Sequence, residues 1–145
     1  EYRTYLMIMT KAEHKLKLLG IRKTPIRIEM LDIFINSAGK ALGNKDIELY
    51  LENPDRITVY RTLKTFEQRG LIHQVMDGTG VTKFAICIDD CDNHSHHDEH
   101  AHFRCEKCGK TSCLDGGITL PSDIPNGYRI KNVHLVLEGW CAECK

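Results

Sequence analysis

Residues 56–88 read RITVYRTLKTFEQRGLIHQVMDGTGVTKFAICI, and this stretch decides the fold class. From Arg56 to Arg69 the apolar residues Val59, Leu63 and Phe66 recur at i, i+4 and i+7, which predicts one buried helical stripe ending at Gly70. Thr58, Arg61, Thr62, Thr65 and Gln68 fall largely on the opposite side. Two extended runs follow, Leu71 to Met76 and Val81 to Ile88, and between them Asp77-Gly78-Thr79-Gly80 has the chemistry of a hairpin turn. A helix leading into such a hairpin is the second half of a winged helix, the helix-turn-helix variant whose hairpin is the wing.

Upstream, residues 13–37 read as helical with an interruption at Gly20. Thr24-Pro25 resembles an N-cap followed by proline at the first helical position, and Ile26, Met30, Leu31, Phe34 and Ile35 keep helical spacing after it. Gly39 and Gly43 break that pattern, Asn44 is expected to cap a short helix carrying Ile47, Leu49 and Leu51, and Asn53-Pro54 marks a turn. Three helices and a hairpin make residues 1–88 the predicted winged-helix, DNA-binding domain. Residues 89–99, rich in Asp, Asn and His, read as a hinge. Residues 100–145 read as a small segment with candidate strands at Ala101–Arg104 and Tyr128–Leu137 and two cysteine pairs. The predicted class is α+β.

The chain has 145 residues, 41% hydrophobic and 28% charged, enough apolar content for a core. No apolar run reaches the roughly 18 residues of a membrane span, and Glu1–His14 does not have a signal-peptide pattern, so a cytoplasmic protein is expected. The net charge of zero conceals a split: residues 1–86 hold four more basic than acidic residues, and residues 87–145 the reverse. A polyanion partner therefore suits the first half better.

The 7 cysteines are not spread like a disulfide framework. Cys105/Cys108 and Cys141/Cys144 form two Cys-x-x-Cys pairs, each a turn able to place two thiolates on one ion. A segment of about 45 residues with few large apolar side chains usually needs a metal, a disulfide or a partner subunit. A shared structural Zn2+ follows, provided a β-meander brings the pairs together across the intervening residues. The alternatives are two unrelated thiol pairs or a redox pair. In the first half, Thr58, Tyr60, Arg61, Lys64 and Thr65 are the candidates to touch bases and phosphates of double-stranded DNA, with Arg22, Lys23 and Arg27 holding flanking backbone. The alternative is a solvated helical face.

These residues carry a resemblance. Leu18-Leu19-Gly20-Ile21-Arg22-Lys23-Thr24-Pro25-Ile26-Arg27, Thr58-Val59-Tyr60-Arg61-Thr62-Leu63, Gly70-Leu71-Ile72, His100-Ala101-His102-Phe103-Arg104-Cys105-Glu106-Lys107-Cys108-Gly109 and the closing Cys-x-x-Cys together resemble the ferric uptake regulator family of bacterial metal-responsive repressors. The resemblance implies that residues 100–145 are a small α/β, metal-binding dimerisation domain, and that the chain is a homodimer whose affinity for an operator depends on a regulatory metal. It also implies that Tyr60 and Arg61 lie on the recognition helix and that Arg27 touches a phosphate or groove.

For the regulatory metal, His100 and His102 alternate along a strand, and His73 and Cys87 flank the same hinge. One thiolate and three imidazoles suit zinc, whereas iron and manganese sites usually hold more oxygen ligands. Iron-sensing members of the family place a Glu at the position of Ala85 and a His near Ala41, both absent here. Zinc uptake regulators place a His or Asp at the position of His73 and a Cys at that of Cys87. A zinc sensor of the zinc uptake regulator branch is thus expected, with Fe2+ or Mn2+ as the alternative cargo. Cys113 stands where iron sensors often have a Glu ligand, and is a candidate substitute for one histidine. A further family site is not expected, because Glu99 and Ala101 replace its His and Asp, and His134 is one residue out of register with its later His. His94, His96, His97 and Cys91 read as a loop that captures metal weakly. The sequence lacks His-Glu-x-x-His and the zinc-deaminase pattern, so no enzyme is expected. The competing class is a zinc buffer or chaperone built on the His-rich loop.

Overall fold

The computed structural model describes residues 9–86, 100–117 and 119–144. In chain order they form α1 (Lys11–Leu18), α2 (Pro25–Asn36), β1 (Leu42–Gly43), α3 (Asn44–Tyr50), α4 (Arg56–Gln68), β2 (His73–Val75), β3 (Lys83–Ala85), β4 (His100–Cys105), β5 (Thr111–Gly117) and β6 (Val136–Gly139), then a 3-10 turn at Ala142–Cys144.

Among its described residues the N-terminal half holds four helices, the helical run interrupted at Gly20 being two of them. α1 is separate because a capping box starts it: the Thr10 hydroxyl accepts from Glu13 N, and the Glu13 carboxylate accepts from Thr10 N at 2.8 Å. Gly20, at φ +63°, then turns the chain out of the helix. Thr24 is the N-cap of α2, with Pro25 at the first position as expected, although the Thr24 side chain makes no capping bond. At α3 the expectation fails by one residue. Gly43 is the N-cap, its N–H held by the Asp46 carboxylate at 2.8 Å, and Asn44 is already helical. Leu49 is 85% exposed, so only Ile47 and Leu51 face inward. On α4, Thr62 joins Val59, Leu63 and Phe66 in the interior, against the expectation of an exposed position. The stripe is the broad i, i+3, i+4, i+7 kind that helices of globular cores present. Leu16, Met30, Leu31, Phe34, Ile47, Leu63 and Phe66 are the fully buried centre of this half.

The wing is a three-stranded antiparallel sheet in the order β1-β3-β2, with His73 opposite Ala85 and Leu42 opposite Phe84. Its strands are shorter than expected because the connection takes Met76 to Thr82, turning through left-handed backbone at Gly78 and Gly80.

The C-terminal half is a second sheet, ordered β5-β4-β6, in which β4 pairs antiparallel with β5 and parallel with β6. The strand expected over Tyr128–Leu137 forms only from Val136; Tyr128, Ile130 and Leu135 are exposed and have no core of their own to pack on. β5 was not expected, since Thr-Ser-Cys-Leu-Asp-Gly-Gly has weak strand propensity and owes its form to its neighbours. One edge of β5 reaches the N-terminal half, where Ala41 N donates to Thr111 O at 2.8 Å and Cys113 N to Gly39 O at 3.2 Å. Among the described residues no helix is long and apolar enough to cross a membrane.

Candidate metal centres and nucleic-acid interface

Cys105 closes β4 and lies in register with Gly139 at the end of β6. Because that pairing is parallel, the Cys105/Cys108 turn and the Cys141/Cys144 turn emerge at the same end of the sheet. A parallel crossover, not the expected meander, thus unites the two pairs. The four Sγ atoms lie within 4.8 Å of one another, and Cys108 and Cys141 are 3.9 Å apart at sulfur. Gly109, at φ +73°, makes the first turn tight.

Backbone N–H groups point into this cluster. Those of Cys108 and then Cys141 bring the Cys105 thiol down to about 6, while hydrogen bonding to the Cys141 side chain, then burial, pushes Cys144 up to about 12. One thiolate is welcome here, but further negative charge is opposed unless a cation shares the site. Four convergent sulfurs at this spacing fit a structural Zn2+.

A second cluster joins the two halves. His73 on β2, His102 on β4 and Cys113 on β5 have ligand atoms within 4.8 Å of one another. His73 Nε2 is 3.4 Å from Cys113 Sγ and 3.5 Å from His102 Nε2. The two histidines are only 4% and 8% exposed. Of the four residues expected here, the geometry brings together His73 and His102. Cys87 lies outside the described residues. His100 is on β4, and the register with β5 shifts between His100 and His102. Cys113, the suggested substitute, is brought into the cluster. Ala41, Val75 and Ala85 form a small apolar group against which Cys113 packs. Positions 41 and 85 therefore border the cluster without offering a donor atom.

His134 is exposed and borders a surface cavity of about 370 Å3 together with Glu67 and His73, which gives the buried imidazole a route to solvent. Glu99, Cys91, His94, His96 and His97 lie outside the described residues.

On α4, Tyr60 is 56% exposed, and Thr58, Arg61 and Lys64 are exposed beside it. Two hydroxyls are already engaged: Thr58 donates to the Asp55 carboxylate and Thr65 to Arg61 O. These residues keep their methyl groups for contact. Lys64 Nζ sits 5.9 Å from the Tyr60 ring centre. Arg22 and Lys23 are exposed before α2, and Arg27 donates to Arg22 O at 3.0 Å. Arg22, Arg27, Thr58 and Arg61 border one surface hollow, so the candidates from α4 and from the α2 start share a face. Lys45, not singled out from the sequence, borders a cavity of about 610 Å3 with Tyr60 and Lys64 between α3, α4 and the wing. A lysine in the first turn of α3, the short helix preceding α4, was its available signal.

Residues 19–137 match the ferric uptake regulator family. The ferric uptake regulation protein of Neisseria meningitidis serogroup A / serotype 4A (strain DSM 15465 / Z2491) is 32% identical over 139 residues, covering 90% of this chain and 91% of the relative. The peroxide operon regulator of Bacillus subtilis (strain 168) is 28% identical over 144 residues, covering 94% and 92%. Among solved structures, a zinc uptake regulator complexed with zinc and DNA superposes with a TM-score of 0.64 at 22% identity, covering 91% of this chain and 89% of that one.

Proposed function

Because the chain belongs to the ferric uptake regulator family of metal-responsive transcriptional regulators, and is not an enzyme, we propose that it is a zinc-dependent DNA-binding repressor controlling metal-uptake genes in the cytoplasm. The observation that carries the choice of zinc is the His73–His102–Cys113 cluster. Two imidazoles and a thiolate form a soft, nitrogen-and-sulfur donor set, and the neighbouring Ala41 and Ala85 supply no oxygen ligand. Cys87 and His100 remain the proposed additional ligands.

The ion would join the wing to the C-terminal sheet and so fix the angle at which α4 is presented. Metal favours that arrangement only through its differential affinity, and DNA must tighten metal binding by the same factor. Exposed Leu120, Tyr128, Ile130, Leu137 and Trp140 crowd the C-terminal half, an apolar surface of the kind subunit contacts cover, and a homodimer is the proposed occupant. Two copies of α4 would then meet successive major-groove faces of an operator. A zinc buffer, the competing class, leaves the basic face of α4 without a purpose.

The test saturates the second centre with Zn2+, Fe2+ or Mn2+ and measures affinity for a duplex selected from random sequence with the zinc-loaded protein. Zinc is expected to raise affinity most. A saturated zinc form that binds no better than the form carrying only the four-cysteine zinc, while Fe2+ or Mn2+ activates, would reverse the assignment. Within the same assay, Arg61→Ala is expected to cost about 1–3 kcal/mol on the selected duplex and relax its sequence preference, as for a base-reading arginine. Arg22→Ala is expected to weaken all duplexes alike and flatten the salt dependence, as for a phosphate contact. Unchanged affinity for Arg61→Ala removes it from the interface.

A further inference from the structure

We propose that Asp77 is a positioning residue for the regulatory metal: its buried carboxylate clamps the wing to β5 and so sets the separation at which His73 meets Cys113. This rests on the reading of His73, His102 and Cys113 as the regulatory centre.

The Asp77 side chain is 0% exposed although it carries a charge. Lys83 Nζ lies 2.6 Å from its Oδ2, the Thr79 hydroxyl and N–H both donate to Oδ1, and the Thr111 hydroxyl donates to Oδ2 at 2.8 Å. Burial opposes the charge, but the bonds from Lys83, Thr79 and Thr111 outweigh it and hold the carboxyl well below the usual carboxylate range. Asp77, Thr79 and Lys83 all belong to the wing. Among these contacts Thr111 alone comes from the other half of the chain, and it is itself buried.

The placement of the two ends ties this clamp to the metal cluster. Thr111 and Cys113 are two residues apart on β5 and so point to the same side of the strand. In the wing, His73, Val75 and Asp77 are buried while Gln74 and Met76 are exposed. One side of the wing thus meets one side of β5 at two polar points. At one, His73 faces Cys113; at the other, Asp77 holds Thr111. Between them lies the apolar group of Ala41, Val75 and Ala85. Fixing one end with a buried, fully bonded carboxylate restricts the other, because Asp77 follows the end of β2 by two residues and Thr111 precedes Cys113 by two on β5. A site assembled before the ion arrives binds it more tightly than one that must be assembled by it.

Thr111→Val tests the clamp with least disturbance, since it removes one hydroxyl, keeps the shape and leaves the backbone bond from Ala41 N to Thr111 O. Zinc affinity of the second centre, measured on the full-length protein by chelator competition with the four-cysteine zinc in place, is expected to fall about tenfold, the low end of the range for outer-shell partners of metal ligands. Thr111→Ser, which restores the donor, is expected to return it towards wild type. Asp77→Asn is expected to move affinity in the same direction as Thr111→Val. In a Cys113→Ala background Thr111→Val should have no further effect on zinc affinity, because the clamp acts through that ligand. A Thr111→Val protein that melts earlier yet binds zinc with wild-type affinity overturns the proposal, since the clamp would then be only structural. A wild-type protein that takes up no zinc beyond the four-cysteine centre overturns the underlying reading as well, and is a distinct result.

Discussion

Replacing Cys113 with alanine is expected to lower the zinc affinity of the second centre by more than about 100-fold, beyond the 10–100-fold lost with an outer-shell partner, and to abolish metal-dependent DNA binding. The four-cysteine zinc and the fold should survive. Cys113 contributes the sole anionic donor in the described cluster, 3.4 Å from His73 Nε2, and it sits on β5 while His73 sits on the wing. Without the thiolate, two neutral imidazoles remain, and they span β2 and β4 only. The packing cost is small because the side chain is half-buried against small residues. A companion change sharpens the chemistry. Cys113→Glu puts an oxygen donor into the cluster, and should shift the preferred activating metal from zinc towards Fe2+ or Mn2+. The measurement is metal-titrated DNA binding with bound metal counted in parallel. A Cys113→Ala protein that responds at wild-type zinc concentrations would pass the thiolate role to Cys87.

What the sequence made legible was whatever is written in local chemistry. Gly20 and Gly70 end helices as expected, Pro25 opens one, and the Val59–Leu63–Phe66 stripe places α4 with its basic residues outward. The Cys-x-x-Cys spacing likewise announces each half of the four-cysteine cluster. What stayed hidden depends on which strands meet. β5 has the composition of a loop and becomes a strand only because β4 lies on one side and residues 39–41 on the other. With β5 unseen, Cys113 could be named only as a substitute ligand, and Thr111 could not be connected with Asp77 at all. The parallel pairing of β4 with β6 was hidden for the same reason, since a crossover leaves no turn signal between its strands. The α1 capping box, Thr10 with Glu13, is by contrast a local signal of the same kind as Gly20 and Pro25.

That parallel pairing makes the second large effect the most informative about the C-terminal half. Cys105→Ser is expected to release the proposed structural zinc and unfold or loosen the β4–β6 end of the sheet, lowering thermal stability and weakening the proposed dimer. Structural zinc in small domains is worth roughly 10–16 kcal/mol of apparent binding free energy, and in segments too small for a core that energy is folding energy. The C-terminal sheet fits this case: its apolar side chains Leu135, Leu137 and Trp140 are exposed, and among its described residues Cys105 is the one fully buried hydrophobic position. The N–H groups of Cys108 and Cys141 also point at the Cys105 sulfur and favour its thiolate. Serine keeps the size and can accept those hydrogen bonds, but its hydroxyl does not ionise at neutral pH and cannot supply the fourth thiolate. The loss should therefore be larger than for Cys108→Ser, because Cys108 is exposed at the rim. Zinc content, thermal melting and subunit mass in solution check this together. Unchanged zinc and unchanged melting in the Cys105→Ser protein would mean that the four sulfurs meet without holding a structural ion, and that the sheet stands on pairing and subunit contact alone.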